Sequence, residues 1–384
     1  MSGVALRSRQ DCEDFVRGLC FMATGGGGRP QTGLELLLDQ LERGREIRWV
    51  DVDSLDESTW TATVAGMGGR GGGPGGAPEE LAGLGCVEEK YGPLGRMVAA
   101  VRALEDERGI RVEAIVPVEI GASNVPGPVA VAMELGVPVV DGDYAGGRAI
   151  PEVPQTIPEV RGVGVTPMSF VTRWGDVAVL KETVSTAMAD RLGRQICVAA
   201  RGGVGVSCYL LQARQAKEVM ARGTLTKALE VGRAIRLAQE QGADPVAEAT
   251  KQVDGWLLFV GEVTGSEIAD EESYAFGLGG YELSGRERFE GREFRIWYKN
   301  EYHISWLDGE PFVTSPDALI MVHLADGEPA ISYDFSVGDR VAVIGRRAHE
   351  MYRTERGVEL LGPQHFGFDF DYVPIEDRLR ELSA

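Results

Sequence analysis

The sequence predicts a protein of two domains, an α/β domain followed by an all-β barrel or sandwich, and two observations lead to this prediction. Up to about residue 251, segments with the spacing of amphipathic helices alternate with short apolar runs that are typical of strands. After that point the helical spacing ends, and short β-rich runs separated by Gly and Asp turns take its place. We therefore expect a mostly parallel sheet with flanking helices in residues 1–251 and a β-rich domain in residues 252–384.

The elements of the first domain are separated by Pro and Gly residues. We expect helices over residues 10–20, 30–44, 94–109 and 126–136, where apolar side chains recur at helical spacing. Short apolar runs predict strands over residues 19–23, 45–55, 59–69, 112–121 and 137–143. Residues 170–181 predict a hairpin that turns at Gly175 and Asp176. A helical part over residues 183–251 follows, with helices expected over 185–196, 207–223, 225–242 and 244–255.

The β-rich domain begins with a strand-like run at Trp256, and similar runs follow to about residue 346. We expect the final stretch, from about residue 360, to pack back on the first domain.

The bulk composition excludes several classes of protein. The chain has 384 residues, with 39 basic against 59 acidic side chains and a formal net charge of −20. Such a field repels phosphate backbones and anionic lipid surfaces, so we expect neither nucleic acid nor a membrane as a partner. The five cysteines are widely spaced and form no CxxC pair, which disfavours a disulfide framework and a zinc ribbon. These features predict a cytoplasmic protein.

Four consecutive glycines, Gly25, Gly26, Gly27 and Gly28, lie between an expected strand and an expected helix, and we call them the glycine loop. Bare amides at such a turn can form an anion nest. However, the run matches neither GxGxxG nor the phosphate-binding P-loop, and no Lys-Ser/Thr follows it. A loop that lets a small ligand approach the backbone, with Thr24 supplying a hydroxyl, is favoured, and a tight structural turn stays open.

A second glycine-rich stretch covers residues 66–76, where eight of eleven residues are glycine. This composition favours a mobile loop or lid over a fixed structure. We expect it near the binding edge of the sheet.

Polar side chains cluster where two expected strands end. Glu119 and Asn124 follow an apolar run, and the carboxyl ends of strands form the usual binding edge of an α/β sheet. We favour a site role for Glu119 over a helix-capping role.

The densest polar cluster consists of Asp141, Asp143, Arg148 and Glu152, which lie within twelve residues. Two carboxylates at i and i+2 can hold a cation, or one can stay protonated and act as an acid. Arg148 can fork onto a carboxylate or a polarised carbonyl. An Asp-Gly turn with a structural Asp–Arg pair explains the same residues equally well.

The second half of the chain offers weaker signals. Asn300 and Glu301 lie in a strand-like run, where a solvated strand face is as good an explanation as a site. The four histidines lack the HxH or HExxH spacing of zinc ligands, so each is expected to be a strand or loop histidine.

Taken together, four stretches resemble one family, the S-methyl thiohydantoin desulfurase-like family, over essentially the whole chain. They are the glycine loop, the run from Asp141 to Glu152, the run around Asn300 and Glu301, and residues 357–377. The second of them fits the pattern Asp-x-Asp-x-x-Gly-Arg-Ala-x-Pro-Glu, with one extra residue before Gly147.

The resemblance implies an N-terminal α/β domain, a C-terminal β domain and a hydrolase. Its reaction would replace a sulfur substituent on a hydantoin-type ring by oxygen, with release of thiol or sulfide. We expect Asp141 and Asp143 to bind or activate water, directly or through a divalent metal such as zinc, with Glu119 or Glu152 as proton shuttle. Arg148 would orient the ring. The expected substrate-binding residues are Thr24, Gly25, Gly26, Gly27, Gly28, Asn124, Asn300 and Glu301.

Two other functions stay open. One is a nucleotide-using enzyme acting on a cyclic amide, and the other is a non-catalytic partner of a hydantoinase or oxoprolinase. The expected partners are a cyclic ureide or thiohydantoin, a second copy of the chain in a homo-oligomer, and a hydantoinase-type enzyme.

Overall fold

The computed structural model describes residues 4–68, 78–269 and 277–383. Its helices are α1 (Arg9–Met22), α2 (Pro30–Glu42), α3 (Pro78–Gly83), α4 (Pro93–Arg108), α5 (Pro126–Leu135), α6 (Ile157–Val160), α7 (Thr186–Ala199), α8 (Ala213–Ala216), α9 (Thr224–Gln241), α10 (Pro245–Gln252), α11 (Glu355–Leu361) and α12 (Ile375–Ser383). Its strands are β1 (Ala5–Leu6), β2 (Ile47–Val50), β3 (Trp60–Met67), β4 (Ala114–Ile115), β5 (Val139–Val140), β6 (Gly142–Asp143), β7 (Met168–Val171), β8 (Val177–Leu180), β9 (Val204–Gln212), β10 (Ala221–Arg222), β11 (Trp256–Ala269), β12 (Leu278–Gly285), β13 (Glu293–Lys299), β14 (Glu301–Leu307), β15 (Glu310–Thr314), β16 (Ala318–His323) and β17 (Arg340–Arg346).

The first sheet has eight strands in the order β1-β2-β5-β4-β3-β9-β7-β8. Its middle strands, from β2 to β3, are parallel to one another. The outer pairs are antiparallel, and helices α4, α5 and α7 pack on the sheet. The predicted sheet with flanking helices is confirmed, but it is mixed rather than mostly parallel.

The prediction of a helix over residues 207–223 is wrong. A strand occupies much of this segment, and its antiparallel pairing with both neighbours makes the sheet mixed. Val204–Gln212 form strand β9 between β3 and β7, and helix α8 is confined to Ala213–Ala216. Seven of the nine residues of β9 are buried, on both faces of the strand. A strand buried on both faces loses the polar/apolar alternation that distinguishes it from a buried helix.

The prediction of a strand over residues 19–23 is also wrong, because α1 continues through Met22. Ser8 and Asp11 form a capping box at its start, and Phe15, Leu19 and Met22 continue one buried face. Helix α1 crosses α9 where Gly18 faces Gly232, and a Cβ on either glycine would overlap the backbone of the other helix. The glycine loop therefore joins two helices, α1 and α2, instead of a strand and a helix.

The second sheet has seven antiparallel strands in the order β15-β14-β13-β12-β11-β17-β16 and curls into a half-barrel. Its core holds the rings of Phe259, Tyr281, Phe294, Tyr298 and Tyr302. The predicted all-β domain is thereby confirmed.

The C-terminal segment contacts both sheets. Leu361 at the end of α11 belongs to a hydrophobic cluster of the first domain, and α11 packs on α6. Ile375 at the start of α12 lies in the core of the β domain. Asp317 accepts hydrogen bonds from the Ile375 N–H and the Tyr372 hydroxyl, both at 2.8 Å, which fastens this segment to the start of β16.

Two further sequence predictions concern membranes and the second glycine-rich stretch. No helix in the described part of the chain is long and apolar enough to cross a membrane. The predicted mobile loop at residues 66–76 lies outside the described residues except for Gly66, Met67 and Gly68.

Candidate active site

A cavity of about 400 Å³ lies at the junction of the two domains. Its walls come from the glycine loop, strands β3, β7 and β9, the loop after β4, residues 150–153, helix α7 and the turn before β14. The polar side chains that line it are Thr63, Glu119, Asn124, Glu152, Asp190, Arg194, Asn300, Glu301 and Tyr333. The apolar side chains that line it include Ala65, Met67, Val118, Ile150, Pro151, Val153, Met168, Val206 and Ile331.

Glu119 reaches the cavity from the irregular chain that follows β4. It is 7 % exposed, and its two carboxyl oxygens accept hydrogen bonds from the Asn124 side-chain amide at 2.5 Å and the Ile150 N–H at 2.7 Å. Burial raises the pKa of Glu119 to about 7, against the opposing effect of these two donors. A carboxyl with this pKa exchanges its proton near neutral pH, as a general base needs to do.

Glu301 enters the cavity from the second domain at the first position of β14. Asn300, which precedes it, has a positive φ of 61° and accepts a hydrogen bond from the Gly277 N–H. Glu301 is 3 % exposed, and its Oε2 atom has no hydrogen-bond partner among the described residues. Burial, reinforced by the charge of Glu119, raises the pKa of Glu301 well above its ordinary value. The surroundings of Glu301 therefore favour its protonated form.

Arg148, which is expected to orient the ring, is not among the described residues that line the cavity, but its charge acts on both carboxyls. Its guanidinium is 2 % exposed and donates from Nη1 to the Pro316 carbonyl at 2.9 Å. Its charge lowers the pKa of both Glu119 and Glu301, and burial lowers the pKa of Arg148 itself. Arg148 thus places a positively charged side chain of the first domain in contact with the second domain.

The glycine loop packs against both carboxyl-bearing segments. A Cβ on Gly26 would overlap the Glu301 carboxyl, and a Cβ on Gly28 would overlap the Ser123 hydroxyl. The Gly27 carbonyl accepts from Ser123 N–H at 3.0 Å, whereas the Gly25 carbonyl accepts from Ser332 N–H at 2.7 Å. Glycine is required here for close approach to two domains at once. The structure brings the predicted glycine loop, Glu119, Asn124, Asn300 and Glu301 together.

Asp141 and Asp143 are not among the described residues that line the cavity. Asp141 accepts hydrogen bonds from the N–H groups of Leu225 and Thr226, at 3.0 and 3.1 Å, and so caps the start of α9. Asp143 accepts from Ala145 N–H at 2.6 Å and Gly147 N–H at 3.0 Å, which orders the loop that carries Arg148.

Both carboxylates accept hydrogen bonds from backbone amides, and the metal-binding role expected of Asp141 and Asp143 stays a prediction. Among the residues that the structure describes, no three His, Cys, Asp or Glu side chains come together in a group that could hold a metal ion.

Two other predicted residues lie at the margin of the site. Glu152 lines the cavity, and its carboxylate pairs with Lys299 at 2.7 Å, a contact between the two domains. Thr24 is fully buried, has a positive φ of 55° and is not among the described lining residues. Its carbonyl accepts from Tyr302 N–H at 2.7 Å, so its visible role is to tie the glycine loop to β14.

Sequence reasoning missed several lining residues. Asp190 and Arg194 form an i, i+4 ion pair at 2.7 Å on α7, and nothing in the sequence places this helix at the cavity. Cys208 lies on β9 and lines the cavity. The sequence predicts a helix for this segment, so it does not place Cys208 at the site. Burial raises the pKa of the Cys208 thiol to about 12, so it is protonated and a poor nucleophile.

Two family models match the chain in succession. Residues 10–182 match the S-Me-THD-like N-terminal domain, and residues 184–375 match the S-Me-THD-like C-terminal domain. A crystal structure of a protein from Chromobacterium violaceum, 24% identical, covers 97% of this chain and 100% of that chain with a TM-score of 0.75, which shows a shared fold. No curated protein matches the sequence.

Proposed function

The chain belongs to the S-Me-THD-like family, and from this membership and its cavity we propose that it hydrolyses an S-alkyl thiohydantoin, replacing sulfur by oxygen and releasing a thiol. The observation that supports this most is the pair of buried carboxyls, Glu119 and Glu301, at one cavity. Two titratable groups whose environments separate their pKa values suit a reaction that needs both a base and an acid.

The first step is addition of water across the C=N bond of the ring. The Glu119 carboxylate takes a proton from water as the water oxygen bonds to the ring carbon. The protonated Glu301 gives its proton to the ring nitrogen. The products of this step are a neutral tetrahedral adduct, protonated Glu119 and ionised Glu301.

The second step breaks the carbon–sulfur bond. The Glu301 carboxylate takes the proton of the new hydroxyl as the C=O bond forms, and Glu119 gives its proton to the departing sulfur. Both carboxyls return to their starting states, and the sum is ring plus water to hydantoin plus thiol. Arg148 stabilises the negative charge that Glu301 carries between the two steps.

The charge of the cavity argues against a nucleotide substrate. Its described lining residues include four carboxyl groups and one guanidinium, that of Arg194, which is paired with Asp190. Phosphate groups would meet the ionised Glu119, and the one described lining cation, Arg194, already pairs with Asp190. A neutral ring suits this lining better.

The test incubates the purified protein with an S-methyl thiohydantoin in ¹⁸O-labelled water. We expect methanethiol and hydantoin in equal amounts, with one labelled oxygen in the hydantoin. The exposed variant Glu218→Gln keeps this turnover, and the double variant Glu119→Gln/Glu301→Gln lacks it. Absence of thiol from the wild-type protein, or equal turnover by the double variant, refutes the proposal.

A further inference from the structure

His303 is a fully buried histidine behind the cavity, on the same strand as Glu301. Its Nδ1 atom lies 2.8 Å from the Ser315 hydroxyl. Its Nε2 atom lies 4.0 Å from Glu301 Oε2. Neither Nε2 nor Oε2 has a hydrogen-bond partner among the described residues. Two buried polar atoms therefore face each other across a gap slightly longer than a hydrogen bond.

Arg148 sets the direction of the hydrogen bonds in this group. Its guanidinium can only donate, and Nη1 donates to the Ser315 hydroxyl oxygen at 3.4 Å. Among the described residues His303 Nδ1 is the one acceptor within reach of the Ser315 hydroxyl, so we assign the single Ser315 proton to this bond and His303 Nδ1 accepts it. An imidazole that accepts at Nδ1 carries its own proton on Nε2. The Nε2–H bond consequently points toward Glu301.

The ring is held in a fixed plane and stays neutral. The Phe366 ring lies against the His303 ring, with ring centroids 4.1 Å apart and a tilt of 30° between the ring planes. Burial and the charge of Arg148 lower the pKa of His303 well below its ordinary value, against the opposing effect of a hydrogen bond to the Lys299 backbone, and the charges of Lys299 and His365 lower it slightly further. The charged groups that face Glu301 are Glu119, Arg148 and Lys299.

We propose that His303 is a positioning residue that donates from Nε2 to the Glu301 carboxylate once Glu301 has given its proton to substrate, with its tautomer set by Ser315 and Arg148. The proposal rests on the proposed function, in which Glu301 is the acid. His303 transfers no proton. It stabilises the carboxylate between the two steps and so makes Glu301 a stronger acid, and the 4.0 Å gap shortens when the charge forms.

The test follows the alkaline limb of the pH dependence of kcat/KM, which reports the protonation of Glu301. His303→Phe keeps an aromatic ring but removes the donor, so the limb moves to higher pH by about one unit and kcat falls about tenfold. His303→Gln places an amide N–H near the Nε2 position and keeps the wild-type limb. Ser315→Ala frees the tautomer and moves the limb in the same direction as His303→Phe.

A purely structural role predicts a different result. His303→Phe would then lose activity with an unmoved limb, or His303→Gln would behave like His303→Phe, and either outcome overturns the proposal. If His303→Phe fails to fold, as judged by circular dichroism, the position of the alkaline limb of kcat/KM in Ser315→Ala decides the question.

A second readout needs no activity. The ¹⁵N spectrum of the wild-type protein, assigned by the signals that His303→Gln lacks, should show a neutral ring protonated at Nε2. A proton on Nδ1 overturns the inference. Full turnover by Glu301→Gln would instead refute the proposed function and leave the tautomer result standing.

Discussion

Glu119 and Glu301 are the same type of residue in the same cavity, yet their surroundings give them different proton affinities. Each oxygen of Glu119 accepts a hydrogen bond, which favours its charged form. Glu301 Oε2 has no such donor among the described residues, and the charge of Glu119 disfavours a second charge beside it. Because the two groups interact, they titrate as a pair, and the pair holds one proton near neutral pH.

The pH profile of kcat/KM follows from this pair. Activity requires ionised Glu119 and protonated Glu301, so we expect a bell whose acidic limb has an apparent pKa of about 7 and whose alkaline limb lies higher. Initial rates of thiol release between pH 5 and pH 10 measure it. A rate that stays constant from pH 5 to pH 8 would contradict the assignment of Glu119 as the base.

The same pKa shifts predict how stability depends on pH. A carboxyl with a raised folded-state pKa contributes stability that is present below its unfolded pKa and is lost as pH rises through the folded pKa. Glu301→Gln removes that loss, so its Tm should equal the wild-type value near pH 4 and exceed it by roughly 2 °C or more at pH 8.5. Glu218→Gln, at an exposed position, is measured alongside as the control variant. A lower Tm for Glu301→Gln at pH 8.5 would mean that the Glu301 carboxylate is ionised and stabilised by Arg148.

At the scale of elements, the glycine loop sets how closely the two domains meet. Its Gly27 carbonyl bonds to the first domain and its Gly25 carbonyl to the second, while Gly26 touches the Glu301 carboxyl. The loop thus positions a reactive group by shape, without a charged or polar side chain of its own.

A single methyl group tests this role. Gly26→Ala needs no unusual φ, but its Cβ would overlap the Glu301 carboxyl, so kcat/KM should fall at least tenfold, roughly 1.4 kcal/mol of transition-state stabilisation. Gly164→Ala is the matched control, because a Cβ there meets nothing within 4 Å, and it should retain full activity. Equal activity of the two variants would show that the loop does not position Glu301.

Sequence reasoning predicts most elements and about half of the site, and the failures have physical causes. Glu119 and Asn124 are predicted because they follow an apolar run at the binding edge. Asp141 could not be placed, since the amides that it caps belong to α9, more than 80 residues further along the chain. The sequence predicts a strand before the glycine loop, because the buried end of a helix and a short strand have the same apolar composition.

At the scale of the whole molecule, the two regions matched by the family models share one sheet. Strand β9 belongs to the second region, yet it lies between β3 and β7 of the first. Helix α9 of the second region packs on α1 of the first through Gly18 and Gly232. The boundary that we expect between residues 251 and 252 stays a prediction, and the division at residues 182–184 does not separate two sheets.

Fragments divided between residues 182 and 183 should not fold when they are expressed separately, but should form a folded complex when they are expressed together. Residues 1–182 lack β9, so we expect them to be insoluble or unfolded alone, because β3 and β7 lose their common partner. Co-expression with residues 183–384 should restore a soluble complex with activity, since Glu119 and Glu301 lie on different fragments. Circular dichroism and size-exclusion chromatography measure both results. A cooperatively folding 1–182 monomer would contradict this account.

The most direct test of the central claim compares thiol release by Glu119→Gln and Glu301→Gln with that of wild type and Glu218→Gln, alongside calorimetric binding of the hydantoin product. General acid–base roles predict that each single variant loses about 10²-fold or more in kcat while still binding the product. Wild-type turnover by either variant would contradict the claim that these two buried carboxyls carry the reaction.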